Sequence, residues 1–186
     1  MTPKVPENIY AETVKYLDQG KIVGWFQGQM EYGQRALGSR SILADPRRSE
    51  MKRLINQAVK FRESFRPFAP AILEETLDEW FDYNNSLTSP YMEKVVKVKQ
   101  SRAAEIPSVV HWDGSCRLQT VKKDMTPEFH ALITEWNKET GVPILLNTSF
   151  NINNEPIVES PIDAIKTFFS SGLDILVIGS FLISKT

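Results

Sequence analysis

The chain has 186 residues, and its 22 basic and 23 acidic side chains leave a formal net charge of −1, which gives no broad attractive field for nucleic acid or an anionic membrane. One domain of this length can bury a substantial core, while the single cysteine, Cys116, excludes an intrachain disulfide framework and a thiolate metal cluster. No stretch approaches the roughly 20 apolar residues of a membrane span and the N-terminal segment lacks the apolar centre of a signal peptide, so a soluble cytoplasmic protein is expected.

Ile9, Tyr10, Val14 and Leu17 recur at three- to four-residue spacing, which predicts an amphipathic helix from residue 6 to a stop at Gly20. A strand follows in KIVGWFQ and another at residues 41–44, closed by Asp45-Pro46. SEMKRLINQAVK reads as a helix with Ser49 as its cap. FRPFAPAIL carries two prolines into an apolar strand, and EETLDEWF is a short acidic helix with Leu77, Trp80 and Phe81 in the core. DYNNSLTSP is polar and turn-rich, a surface loop. YMEKVVKVKQ alternates as a strand does, and SRAAEIPSVVHWDGSCRLQTV mixes a loop with one or two strands around a hairpin turn at Asp113-Gly114. Thr126, Pro127 and Gly141 set the ends of a helix, VPILLNTSFN is a buried strand, SPIDAIKTFFSSG repeats the same helix grammar, and LDILVIGSFLIS supplies closing strands. With no internal repeat and no linker, residues 1–186 read as a single α/β domain with a mixed sheet.

Three polar clusters punctuate this pattern. In GQMEYGQRALGSRSILADPR, glycines let main chain approach a ligand, and Arg35, Arg40, Arg47 and Arg48 offer planar donors for phosphate or carboxylate; a Gly-rich connection with solvated arginines is the plainer alternative. In KFRESFRPFAP, Lys60 and Arg62 are two residues apart, so an extended segment would turn both to one face toward a polyphosphate, with Phe61, Phe65 and Phe68 anchoring the other. In NTSFN, Asn147, Ser149 and Asn151 alternate behind the apolar strand and would present neutral hydrogen-bonding groups on one side of its end, or else cap a turn. His111 could lie at a site mouth, whereas His130 falls inside a helix, and their spacing carries no metal signature. No nucleophile elbow surrounds Ser115-Cys116.

Taken together, MEYGQRALGSRSILADPR, KFRESFRPFAPAILEE, HWDGSCRLQTV and GVPILLNTSFNINNEPIVESPIDAIKTFFSSGLDILVIGSFLI resemble, in order and spacing, the C-terminal domain of the NodU/CmcH-type carbamoyltransferases. That resemblance implies a YrdC/Sua5-like fold, a twisted mixed sheet flanked by helices, with Lys60-Phe61-Arg62 as its K-x-R pair and Ser149-Phe150-Asn151 as its S-x-N pair. It also implies a domain that takes ATP and carbamoyl phosphate to carbamoyl adenylate, and a preceding Kae1-like domain, absent from this chain, that passes the carbamoyl group to a hydroxyl. Lys60, Arg66, Arg117 and Ser149 would be the catalytic residues, and Arg35, Arg62, Asn147 and Asn151 would bind substrate or nucleotide. Mg²⁺ would arrive with ATP, with no tightly held metal in this domain. Three positions depart from the family pattern: Gln29 stands where Arg is common, and Gln34 and Ser64 stand where Pro is common, so Gln29 removes a charge from the expected anion site. An RNA-binding or docking module of the same fold is the alternative, although the near-neutral charge makes nucleic acid an unexpected partner.

Overall fold

The computed structural model describes residues 3–82 and 88–185, so residues 83–87 of the expected DYNNSLTSP loop lie outside the described residues. Along the chain come α1 (Ile9–Asp18), β1 (Val23–Phe26), β2 (Arg40–Ala44), α2 (Met51–Ala58), β3 (Ala69–Leu73), a 3-10 turn (Glu74–Thr76), α3 (Leu77–Trp80), β4 (Phe81–Asp82), β5 (Lys94–Val98), two more 3-10 turns (Ala103–Glu105 and Pro107–Val109), β6 (Ser115–Val121), α4 (Pro127–Thr140), β7 (Ile144–Ser149), α5 (Pro161–Ser170), β8 (Ile175–Ile178) and β9 (Phe181–Ser184). Among the described residues the strands form one mixed sheet ordered β4-β5-β6-β3-β7-β2-β1-β8-β9. The β3–β6 and β1–β8 pairs are parallel and the others antiparallel.

Strand alternation sorts the core into two faces. Val23 and Trp25 of β1, Leu43 of β2, Leu145 of β7 and Val177 of β8 join Leu17 of α1 and Phe129 and Trp136 of α4. Their neighbours Phe26, Ile42, Leu146 and Leu176 join Ile55 of α2 and Phe168 of α5. The central strands are therefore covered on both sides, which is why VPILL and LDILVI read as continuous apolar runs rather than alternating ones. Pro70 is tolerated inside a central strand because it pairs with Leu146 of β7 before the β6 ladder begins at Ala71.

Local chemistry explains most boundaries. Ser160 and Asp163 exchange a reciprocal capping box at the start of α5. Gly141 ends α4 in the left-handed conformation, at φ 71°. Two expectations change. Ser49 does not cap α2, which Glu50 precedes without a side-chain cap; the buried Asp45 carboxylate instead organises the entry by accepting from Arg47 N at 2.9 Å and from the Arg47 and Arg48 side chains. SRAAEIPSVV forms the expected loop, as two 3-10 turns, and one of the expected strands follows as β6, but the turn at Gly114 is not a hairpin turn, since it hands the chain only into β6.

Gly38, at φ 117°, lets the loop before β2 lie against α4: a Cβ there would fall 2.3 Å from Phe129 Cδ1. Its carbonyl accepts from Trp25 Nε1 at 3.0 Å. Gly38→Ala is expected to lower unfolding free energy by about 2–4 kcal/mol in a urea titration, and an unchanged midpoint would contradict this packing.

Candidate active site

The carboxyl end of β7 is tied down by a lysine from the other side of the sequence. Lys60, at the exit of α2, is 3% exposed, and its Nζ donates to Ser149 O at 2.5 Å, Asn151 Oδ1 at 2.6 Å, Asn151 O at 3.0 Å and Ser149 Oγ at 3.2 Å. Ser149 Oγ donates in turn to Asn151 Oδ1 at 2.7 Å. An ammonium has three protons, so these four oxygens share them and saturate the group. Burial first, then repulsion from Arg62, pushes Lys60 down to about 7, and the ring of acceptors opposes that push because it serves only the charged form fully.

Beside this clamp opens a cleft of about 330 Å³ whose lining includes Arg35, Arg62, Arg66, Arg117, His111, Asn147 and Ser149, with Phe68, Met92 and Val95 as its apolar wall. Among the described residues no acidic side chain lines it. Asn56, itself buried, shapes the basic loop: its Oδ1 accepts from Arg62 Nε at 2.7 Å and its Nδ2 donates to Ser64 O at 3.2 Å and Arg66 O at 3.0 Å. Arg66 reaches out to the exposed Glu63 at 2.8 Å. Burial and mutual repulsion lower both Arg62, facing Arg66 and Arg117, and Arg117, facing Arg35. Four cations crowded this way leave a field that an anion would relieve.

β6 supplies the far wall. Ser115, Arg117 and Gln119 alternate along it, and Gln119 locks the neighbouring loop by donating to Leu37 O at 2.8 Å while accepting from Asn147 Nδ2 at 2.7 Å. Asn147 Nδ2 also reaches Ala36 O at 3.1 Å. The loop is braced from within by Glu31, whose Oε1 collects the backbone N–H groups of Leu37 and Ser39 at 2.7 Å and of Arg40 at 3.3 Å. Arg117 Nε, His111 Nε2 and Asn147 Oδ1, all on residues that line the cleft, are buried without a hydrogen-bond partner among the described residues.

A family model for the carbamoyltransferase C-terminus matches residues 14–185. The chain belongs to that family. Nodulation protein NolNO of Sinorhizobium fredii is 47% identical over 180 residues, which is 96% of this chain and 26% of that protein. The 3'-hydroxymethylcephem-O-carbamoyltransferase of Amycolatopsis lactamdurans is 36% identical over 86% of this chain and 30% of its own length. The chain thus spans between a quarter and a third of these relatives. The crystal structure of full-length HypF in its phosphate- and nucleotide-bound form superposes with a TM-score of 0.60 at 16% identity, over 95% of this chain and 22% of that one. The fold class is the expected one, a YrdC/Sua5-like mixed sheet flanked by helices.

The expected site residues divide into two groups. Arg35, Arg62, Arg66, Arg117, Asn147 and Ser149 line the cleft, whereas Lys60 and Asn151 sit beneath it, bonded to each other and to Ser149. Lys60 and Arg62 do not share one face of an extended segment, because Phe61 between them has φ 46° and reverses the chain. Of the flanking aromatics only Phe68 is buried; Phe61 and Phe65 are exposed. Nor do Asn147, Ser149 and Asn151 present one row, since Asn147 turns to Gln119 and the other two close on Lys60. Arg40, Arg47 and Arg48 leave the expected anion site: Arg40 is buried on the carbonyls of Gln27, Gly28 and Ser39, and Arg47 and Arg48 neutralise the buried Asp45. Gln29 lines a separate pocket with Met30 and Tyr32, so its missing charge is not taken from the arginine cleft. Gln119 and Glu31 went unread as site supports; Gln119 was legible, two residues from Arg117 on a strand, but a carboxylate gathering backbone N–H groups leaves no sequence signal.

Lys60→Met is expected to cost about 2–4 kcal/mol of stability, because the carbonyls of Ser149 and Asn151 lose a buried donor. Arg66→Met, which breaks only an exposed pair, is expected to cost less than about 1 kcal/mol. Equal losses in chemical denaturation would contradict the distinction between clamp and cleft.

Proposed function

We propose that this domain binds ATP and carbamoyl phosphate in the arginine cleft and forms carbamoyl adenylate, which a Kae1-like domain of a longer protein delivers to a hydroxyl acceptor. The observation that carries this reading is the convergence of Arg35, Arg62, Arg66 and Arg117 on a cleft that no acidic side chain lines among the described residues. Family membership, and the O-carbamoyl transfer stated in the name of the Amycolatopsis relative, support the carbamoyl half.

In the proposed sequence, water splits carbamoyl phosphate into carbamate and inorganic phosphate. A carbamate oxygen then attacks the α-phosphorus of ATP, the bond to the β-phosphate oxygen breaks, and pyrophosphate leaves. Both partners in the second step are anions, so their approach needs preorganised cations more than a protein nucleophile. Guanidinium groups supply forked donors for the phosphate oxygens, with Arg62 and Arg117 partly buried and therefore weakly screened. Ser149 Thr148 and Asn147 border the same space with neutral groups suited to orienting the carbamate. Lys60 and Asn151 act through Ser149 as positioning residues. Mg²⁺ fits as a passenger on the triphosphate, held by phosphate oxygens and water, because the cleft lining offers no carboxylate. The alternative RNA surface loses a member, since the buried Lys60 is unavailable to a nucleic-acid backbone.

Calorimetry with MgATP is the first test, followed by pyrophosphate release that depends on added carbamoyl phosphate. Arg117→Lys keeps the charge but loses the fork, and is expected to weaken ATP binding about 10-fold. No ATP binding by the wild-type chain would overturn the reading, and unchanged affinity in Arg117→Lys would remove Arg117 from it.

A further inference from the structure

His111 lines the cleft but has no part in the chemistry above. Its protonation is set by a relay. The Ser115 hydroxyl donates to Asp113 Oδ1 at 2.6 Å, and the Ser115 backbone N–H donates to the same oxygen at 3.0 Å. Those bonds hold the Asp113 carboxyl down at about 2, so it is an ionised acceptor. With its proton committed to Asp113, Ser115 Oγ can only accept from His111 Nδ1, 3.1 Å away. Nδ1 therefore carries the hydrogen, and Nε2 is left with a lone pair that is buried and has no partner. Burial, with repulsion from Lys52 and Arg117 set against attraction from Asp113, lowers the ring's affinity for a proton and favours this neutral form.

The remaining charged groups of the cleft lining are guanidiniums, which only donate. A ligand complementary to the whole wall needs anionic oxygens for the arginines and a hydrogen-bond donor for Nε2. Spacing narrows the choice. Ser115 and Arg117 are two residues apart on β6, about 7 Å, so a donor for His111 must lie close to an anion held by Arg117. Asn147 Oδ1, the other unpartnered acceptor on a lining residue, hangs from Gln119, about 13 Å along the strand from Ser115, and belongs to a different part of any ligand.

We propose that His111 reads the amino group of the carbamoyl unit, with Nε2 accepting an N–H while Arg117 holds the attached phosphate. This rests on the cleft being the carbamoyl phosphate site. It makes His111 a specificity residue: acetyl phosphate has the same shape, but its methyl group gives Nε2 no donor and leaves the lone pair buried and unpaired.

The test compares binding of freshly dissolved carbamoyl phosphate and acetyl phosphate to the wild-type chain, His111→Phe and His111→Ala. Wild type is expected to favour carbamoyl phosphate about 10-fold, and both variants to bring the ratio within about 2-fold. The ratio separates recognition from folding, since a general loosening of the cleft lowers both affinities together, and the alanine variant covers the case in which the phenylalanine ring does not fit. A preference that survives in either folded variant would overturn the role of His111 while leaving the cleft reading intact. A wild-type chain that binds carbamoyl phosphate no better than acetyl phosphate would also overturn it, whereas one that binds neither would overturn the cleft reading itself.

Discussion

The Lys60 ammonium and the four oxygens around it are the constraint on which the rest of the site depends. β7 is the strand between β3 and β2, and its last residue faces a chain reversal that would leave carbonyls without partners inside the protein. A buried donor from the exit of α2 satisfies the carbonyls of Ser149 and Asn151 at once. The same bonds fix the start of the 60–66 loop; the chain turns at Phe61 directly after Lys60, and Arg62 and Arg66 beyond that turn line the cleft. One interaction thus ties the neutral strand end to the base of the loop that carries two of the cations.

Basic residues that look alike in the sequence separate by what surrounds them. Asp45 is buried and needs compensation, so Arg47 and Arg48 are spent on it, with Arg47 driven further toward its charged form by hydrogen bonding to Asp45. Arg40 is consumed by loop carbonyls and stacks over Phe26 at 3.5 Å. Among the described residues Arg35, Arg62 and Arg117 have no carboxylate partner and Arg66 has only the exposed Glu63, while internal polar supports hold the loops that carry them, Asn56 under the basic loop and Glu31 and Gln119 under the loop before β2. A near-neutral chain therefore carries a locally cationic cleft, a separation that net charge does not express.

The fold was largely legible because its elements carry agreeing signals. The Ser160-Pro161 and Pro127…Gly141 boundaries and the apolar runs of β7 and β8 combine pattern, capping and turn chemistry. Ser49 as a cap and Asp113-Gly114 as a hairpin turn failed where a distant side chain or a tight turn, rather than local propensity, set the backbone. Of the site, the stretches named from the sequence come together around one cleft, while the geometry within them differs from the expectation. Two-residue spacing placed Lys60 with Arg62 only on the premise of extended backbone, and a left-handed Phe61 overturns that premise. In β6 two-residue spacing on extended backbone does put Ser115, Arg117 and Gln119 on one face, a relation that was not read from the sequence. The pairing of His111 with Asp113 through Ser115 was hidden because it depends on the turn at Gly114, not on residue type.

The central claim is that Lys60 shapes the site from beneath while the guanidiniums meet the ligand. A crystal structure of the chain soaked with MgATP tests this most directly. Lys60 Nζ is expected to remain hydrogen-bonded to Ser149 O and Asn151, with phosphate oxygens on the arginine side chains of the cleft. A Lys60 ammonium withdrawn from Ser149 and Asn151 and bonded to phosphate would contradict it.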